Sequence, residues 1–329
     1  VTISARLCFK GRIGENMDLN PQKTAFLFPG QGSQVLGMGS ELSSKYPVAR
    51  ATFEEADQIL GFSLSNIMWE KEDGLNDTAN TQPALFVHSI AAWRVFSEIA
   101  PEFEPASVAG HSLGELSALV VGKSISFEDG LRLVRRRGEL MRHAGEIAPG
   151  GMAAILGLDI PVLEKICAEA SEGDEAIQVA NDNCPGQVVI SGAKPALKRA
   201  LTLATEAGAR RALPLAVSIA PHSSLMSAIQ AEFDEAVENV EIREASLLVV
   251  GNVGAKPLSI IAEIEADLRA QLTSRVRWTE SIQYMISQGV ETFVELGSRN
   301  VLTGLLRRID RGVKGIPLGE AKDFEKFFS

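Results

Sequence analysis

The 329-residue sequence has few of the residues that mark disulfide-rich, metal-binding or membrane-spanning proteins. Its three cysteines are widely separated and lack CxxC spacing, so neither a disulfide framework nor a zinc site is expected. Aromatic residues make up 6% of the chain. No apolar run approaches the roughly 18 residues of a membrane span. These absences favour a globular protein of a reducing, cytoplasmic setting, with no bound metal.

Positive charge is also scarce. Asp and Glu number 42 against 32 Lys and Arg, which gives a net charge of −10. A negative surplus argues against a dedicated nucleic-acid binder and against a protein that docks on anionic membranes. Any anionic ligand must therefore be held by a few locally placed cations.

The order of patterns along the chain predicts the fold class. Short β-rich runs alternate with segments of helical period, which indicates an α/β fold with a mainly parallel sheet. One of the predicted helices, 83–100, is expected to begin at Pro83. Residues 148–217 instead follow the order β-α-β-β-α-β of a small ferredoxin-like unit. We expect this unit to be an insertion into a larger core of residues 23–147 and 218–329, preceded by a variable extension at 1–22.

A candidate nucleophile lies between two glycines. Gly110 to Gly114 read G-x-S-x-G, with a small-residue strand before them and an apolar helix after them. This context is that of a nucleophile elbow, in which a strained turn exposes the serine hydroxyl. The N–H groups of the following helix point toward any oxyanion formed there. The pattern predicts Ser112 as nucleophile and an α/β-hydrolase-like core.

One arginine lies on the wrong face of its helix. In FEDGLRLVRRRGELMRHA (127–144), a helical wheel places Arg137 among apolar residues, between Leu133 and Met141. A guanidinium cannot be buried there unpaired without a large desolvation cost. The pattern alone leaves three interpretations open: an internal ion pair, a buried stem with a solvated head, or a fork that binds a ligand carboxylate.

The histidines offer one strong candidate base. Of four, His88 and His143 are expected to be structural or on the surface, and His111 lies inside the elbow, where we expect it to position the loop. A serine nucleophile needs a neighbouring base, which leaves His222 in the SIAPHSSLM loop. No acid stands in an obvious loop after a strand. The third member of the triad is therefore expected to be a group other than a carboxylate, such as a backbone carbonyl.

Several segments together resemble one family. The chain closely resembles the malonyl-CoA:acyl-carrier-protein transacylases of fatty-acid synthesis from about residue 22 to about residue 312. The segments that carry the resemblance occur in the same order and with the same spacing. They are FLFPGQGSQVLGMG, AGHSLGELSALV, RLVRRRGELM, NDNCPGQVVISG, PHSSLM and VRWTESIQYM…GVETFVELGSRNVLTGLLRRI.

The resemblance implies a two-step acyl transfer from malonyl-CoA to the phosphopantetheine thiol of holo acyl carrier protein. Ser112 would carry the malonyl group and His222 would act as base, oriented by the main-chain carbonyl of Gln271. The backbone N–H groups of Gln31 and Leu113 would form the oxyanion hole. No cofactor and no metal ion are implied.

The resemblance also assigns the substrate contacts. Arg137 would pair with the free malonyl carboxylate, and His111, Met141 and Asn183 are expected at the substrate. A bidentate pair in a dry pocket would reject acetyl-CoA, because the guanidinium would be left unpaired. The expected partners are malonyl-CoA and the carrier protein, with no nucleic acid and no membrane, and the protein is expected to be a monomer.

Three departures from the common family pattern bear on acyl selectivity and on contacts near the pantetheine channel. Pro221 precedes the histidine, Cys184 stands in the N-x-N-x-P-G-Q loop where serine is common, and residues 297–300 read GSRN. The alternatives are a discrete acyltransferase of a polyketide synthase, a thioesterase-type serine hydrolase and a catalytically inactive carrier-docking module. An acidic carrier would need a basic patch, for which the candidates are Arg135, Arg136, Arg299, Arg307 and Arg308.

Overall fold

A computed structural model describes residues 19–329 of the chain. The predicted extension at 1–22 lies mostly outside them. The strands of this region are β1 (Thr24–Phe28), β2 (Ser107–Gly110), β3 (Gly150–Leu156), β4 (Ile177–Cys184), β5 (Gln187–Ala193), β6 (Arg211–Pro214), β7 (Val249–Val250), β8 (Pro257–Leu258), β9 (Thr292–Leu296) and β10 (Lys314–Leu318).

The α-helices pack around these strands. They are α1 (Ser40–Lys45), α2 (Pro47–Leu60), α3 (Leu64–Glu70), α4 (Glu72–Asn76), α5 (Thr78–Ile99), α6 (Gly114–Val121), α7 (Phe127–Ile147), α8 (Ile160–Ala170), α9 (Lys194–Glu206), α10 (Gln230–Glu238), α11 (Ile261–Gln271), α12 (Trp278–Ser287), α13 (Val301–Ile309) and α14 (Ala321–Phe328). Within residues 19–329, no helix combines the length and apolarity that a bilayer span requires.

The larger sheet has six strands in the order β10-β9-β1-β2-β7-β8, parallel except for β8. All five residues of β1, TAFLF, are buried, as expected for a central strand covered by helices on both faces. Phe26 packs against Phe96, with ring centroids 4.9 Å apart, while Leu27 faces the cluster that contains Trp278. The predicted α/β fold with a mainly parallel sheet is confirmed.

The smaller sheet is antiparallel, with the order β4-β5-β3-β6. It carries α8 and α9 between its strands, so the predicted β-α-β-β-α-β order of a ferredoxin-like unit is confirmed. This unit has its own apolar cluster, with Ile155, Leu163 and Ile190 among its members. The domain boundaries at 148 and 217 stay predictions.

Helix α5 differs from the sequence prediction. It begins at Thr78 rather than at Pro83, because Asp77 caps it by accepting a hydrogen bond from Ala79 N at 2.9 Å. Pro83 has no N–H to donate to the carbonyl of Ala79 four residues earlier. Arg135 Nη1 donates to that carbonyl at 2.9 Å instead, so a side chain from α7 replaces the missing helical hydrogen bond.

The turn between β2 and α6 has no room for side chains at its two glycines. A Cβ on Gly110 would lie 1.9 Å from the carbonyl atoms of Gly114, and a Cβ on Gly114 would lie 2.1 Å from Phe28 O. Backbone must therefore move before either position accepts alanine. The two glycines of the elbow allow β1, β2 and α6 to approach closely.

We predict that Gly114→Ala lowers the free energy of unfolding by about 1–3 kcal/mol, because the added methyl group overpacks a site walled by backbone. Gly304→Ala is the matched control, since Gly304 is exposed on α13 and nothing lies within 4 Å of its Cβ position. It should raise the free energy of unfolding by roughly 0.5–1 kcal/mol. Urea unfolding of both variants measures this, and a Gly114→Ala protein as stable as wild type contradicts the prediction.

Candidate active site

Ser112 occupies the sharp turn between β2 and α6. Its φ is 52°, in the left-handed region that a non-glycine residue adopts at a cost. Asn252, just after β7, holds the turn: its Oδ1 accepts from Ser112 N at 2.7 Å and its Nδ2 donates to Gly110 O at 2.7 Å. These two hydrogen bonds satisfy backbone groups that the turn would otherwise leave unpaired.

His222 reaches Ser112 from the loop between β6 and α10. Its Nε2 lies 2.8 Å from Ser112 Oγ, and its Nδ1 lies 2.9 Å from Gln271 O and 3.1 Å from Ser274 O. Carbonyl oxygens only accept hydrogen bonds, so Nδ1 carries the ring proton. The lone pair of Nε2 therefore faces the serine hydroxyl, which is the arrangement a general base requires.

The surroundings of His222 keep its ring neutral. The residue is 3% exposed, and burial lowers the pKa of its imidazole to about 3. The positive charge of Arg137 is the next largest cause of that lowering. Near neutral pH the imidazole is consequently uncharged and able to take a proton.

Arg137 projects from α7 into the same place and is 1% exposed. Its Nη2 donates to Ser112 Oγ at 3.1 Å and to Gln271 Oε1 at 2.9 Å, and its Nη1 donates to Gln82 Oε1 at 2.7 Å. Burial lowers the pKa of the guanidinium to about 10, which leaves it protonated near neutral pH. Both the buried ion pair and the solvated head are excluded here, because the head is buried and no carboxylate of residues 19–329 pairs with it.

Two backbone N–H groups beside the nucleophile are unused. The N–H groups of Gln31 and Leu113 make no hydrogen bond within the described part of the chain. Leu113 is the N-cap residue of α6, at the end of the helix where N–H groups carry partial positive charge. Gln31 follows Gly30 in the loop after β1. The pair has the chemistry of an oxyanion hole.

These groups line a cavity of about 360 Å³ between the two sheets. His111 lies on its wall, with Nε2 2.8 Å from Asn183 Oδ1 on β4 and its ring against Trp278. Gln271 lies behind Arg137 rather than on the cavity surface. The predicted site residues that line the cavity are Gln31, His111, Ser112, Leu113, Arg137, Met141, Asn183 and His222.

The structure also describes the other residues that the sequence singled out. Cys184 is buried and its sulfur is a free thiol. Among the candidate docking arginines, Arg135 and Arg136 form ion pairs with Glu139 and Glu232. No cluster of metal-ligating side chains with three or more members is present in residues 19–329.

Comparisons with known proteins show the family of this chain. The family profile described as "Acyl transferase domain" matches residues 25–317. The malonyl CoA-acyl carrier protein transacylase of Bacillus subtilis (strain 168) is 44% identical over 306 residues, which covers 92% of this chain and 95% of that protein. This chain belongs to the malonyl CoA-acyl carrier protein transacylase family.

Solved structures of this transacylase family share the fold. An acyl carrier protein S-malonyltransferase from Vibrio cholerae O1 biovar eltor aligns with a TM-score of 0.89 at 42% identity, covering 92% of this chain and 99% of that one. A malonyl-transacylase solved in complex with a type II PKS acyl-carrier protein aligns with a TM-score of 0.89 at 39% identity, covering 93% and 99%.

Sequence reasoning missed the polar residues beneath the elbow. Asn252 follows the short strand β7. A polar residue at the carboxyl end of a parallel strand is a pattern from which its place in the site could have been predicted. Its N–H donates to Glu115 Oε2 at 2.8 Å. Burial and the neighbouring Asp267 raise the pKa of Glu115 well above its usual range. No pattern in the sequence pointed to Gln82.

We predict that His222 stays neutral from pH 7 down to about pH 5, because the folded protein opposes protonation of its buried ring. The unfolded chain takes up this proton near pH 6.5, so the protein loses stability as the pH falls below that value toward about 3. NMR of isotope-labelled histidine, assigned with a His222→Ala variant, measures the titration. A His222 signal that titrates with a midpoint near pH 6.5 contradicts the prediction.

Proposed function

We propose that this protein transfers the malonyl group of malonyl-CoA to the phosphopantetheine thiol of holo acyl carrier protein, through a malonyl ester of Ser112. One observation carries the proposal. Ser112 Oγ lies 2.8 Å from Nε2 of the neutral His222 ring and 3.1 Å from Nη2 of Arg137. The Arg137 guanidinium is buried and has no carboxylate partner in the described chain. A nucleophile, its base and a receptor for a carboxylate thus share one cavity.

In the first step, Ser112 Oγ attacks the thioester carbonyl and its proton passes to His222 Nε2. The negative charge on the carbonyl oxygen is stabilised by the N–H groups of Gln31 and Leu113. The carbon–sulfur bond then breaks, and the departing CoA sulfur takes the proton from His222. The acyl group is left as an ester on Ser112, and His222 is neutral again.

The second step reverses the first with a different thiol. The carrier's phosphopantetheine thiol gives its proton to His222 as its sulfur attacks the Ser112 ester. The ester bond breaks and Ser112 Oγ regains the proton from His222. The carbonyls of Gln271 and Ser274 hold Nδ1 in its protonated form in both steps, so Nε2 is the atom that exchanges the proton. The scheme uses no cofactor.

Arg137 supplies the selectivity in this scheme. Its planar fork matches the free malonyl carboxylate, and no carboxylate of residues 19–329 already occupies it. Acetyl-CoA would leave the charge buried and unpaired, which is costly. We assign the remaining cavity contacts to His111, Met141 and Asn183. A thioesterase needs no such cation beside its nucleophile, and this counts against the hydrolase alternative.

A second candidate concerns the carrier. A similar transacylase has been solved with a type II PKS acyl-carrier protein, so service to a polyketide synthase is the runner-up to fatty-acid synthesis. Transfer assays with a fatty-acid carrier and a polyketide carrier distinguish the two. We also propose a cytoplasmic setting, in keeping with the unpaired thiols of Cys167 and Cys184, and a subdomain with boundaries at 148 and 217.

Ser112→Ala tests the proposal. Wild-type protein incubated with malonyl-CoA should gain the mass of one malonyl group, measured by intact-mass spectrometry, and should lose it when holo carrier protein is added. The variant should gain none, because it lacks the nucleophile. Ser117→Ala is the control, since Ser117 is buried in α6 away from the cavity lining. An adduct on Ser112→Ala, or none on wild type, refutes the proposal.

A further inference from the structure

Helix α7 carries five arginines, and the buried one differs from the rest. The four others each pair with a carboxylate: Arg132 with Glu128, Arg135 with Glu139, Arg136 with Glu232 and Arg142 with Asp77. Arg137, whose charge is the most expensive to bury, pairs with no carboxylate of residues 19–329. Its Nε is buried and has no hydrogen-bond partner in that range.

Two side-chain amides contact the Arg137 guanidinium where an ion pair would place a carboxylate. Gln82 Oε1 accepts from Nη1 at 2.7 Å, and Gln271 Oε1 accepts from Nη2 at 2.9 Å. Gln82 and Gln271 lie on α5 and α11, and both are buried. An amide oxygen satisfies an N–H group without cancelling the positive charge.

The hydrogen bond that the NH2 group of each amide donates sets the orientation of that amide. Gln82 Nε2 donates to Met141 Sδ at 2.9 Å, and Gln271 Nε2 donates to Ser112 O at 3.2 Å. Both NH2 groups are therefore turned away from Arg137, and both oxygens face the guanidinium. Fixed dipoles of this kind orient the fork before a ligand arrives.

A carboxylate at either position would act differently. It would neutralise Arg137 and compete directly with the carboxylate of an incoming ligand. Glu115 acts on Arg137 electrostatically without forming an ion pair with it, and burial raises the pKa of Glu115 well above its usual range, which opposes a negative charge there. The surroundings of the guanidinium are thus polar but not anionic.

We propose that the side chains of Gln82 and Gln271 determine acyl selectivity, by holding Arg137 through neutral oxygens so that its charge stays available for the substrate carboxylate. The inference rests on the proposed function. It adds a side-chain role for Gln271 beyond the carbonyl that faces His222, and it gives Gln82 a role in selectivity.

The test replaces each amide by a carboxylate of nearly the same shape. In Gln82→Glu, the ratio of malonyl-CoA to acetyl-CoA initial acylation rates at Ser112, followed by intact mass, should fall about tenfold to a hundredfold. The introduced carboxylate forms an ion pair with Arg137 and so weakens the contact between Arg137 and the malonyl carboxylate. Acetyl-CoA has no free carboxylate and does not make this contact. Gln271→Glu should give the same result from a different helix, which keeps the test decisive if one variant fails to fold.

Two controls separate charge from packing. Gln82→Met removes the hydrogen bond without adding charge and should change the ratio less than Gln82→Glu does. Gln288→Glu adds the same charge at an exposed position and should leave the ratio unchanged. Equal loss of both acylation rates in folded Gln82→Glu and Gln271→Glu overturns this inference, while absence of a malonyl adduct on wild type overturns the proposed function itself.

Discussion

The guanidinium of Arg137 is almost fully buried and lies 3.1 Å from the Ser112 hydroxyl. Much of the surrounding structure follows from keeping a positive charge there. A buried charge needs hydrogen bonds to offset its desolvation. Gln82 on α5 and Gln271 on α11 supply them from amide oxygens, so hydrogen bonds of one side chain link three helices.

The same charge acts on the side chains that we propose as base and nucleophile. It lowers the pKa of His222, in addition to the larger effect of burial, and so favours the neutral ring that can accept a proton. It also favours the alkoxide form of Ser112 as the proton leaves. In the proposed mechanism, recognition of the acyl group and activation of the nucleophile are therefore coupled through one cation.

Both residues that we propose as catalytic have strained backbone. Ser112 has φ 52° and His222 has φ 58°, although neither is glycine. Strain at such positions persists only where the surroundings fix the conformation. Asn252 does so for the serine turn, and His222 N donates to Leu272 O at 2.8 Å in the loop that also supplies the carbonyl facing the ring. The rigidity of the site comes from these long-range hydrogen bonds.

Features that depend on residues close together in the sequence could be predicted. Features that depend on contacts between distant elements could not. The elbow, the parallel sheet and the ferredoxin-like order follow from local patterns, and Arg137 was conspicuous because it broke the helical period. His222 could be predicted as the base because the sequence has only four histidines. Gln82 could not be found, since its role appears only when α5 packs on α7. The start of α5 was missed for a similar reason, because Arg135 from another helix compensates for Pro83.

The most direct test of this account compares wild-type protein with Arg137→Ala. The quantity to measure is the initial rate at which Ser112 is acylated by malonyl-CoA and by acetyl-CoA, under identical conditions and by intact mass. We predict that wild type strongly prefers malonyl-CoA, and that Arg137→Ala loses this preference because malonyl acylation slows far more than acetyl acylation. A wild-type protein that accepts both equally, or a variant that slows with both to the same degree, would contradict it.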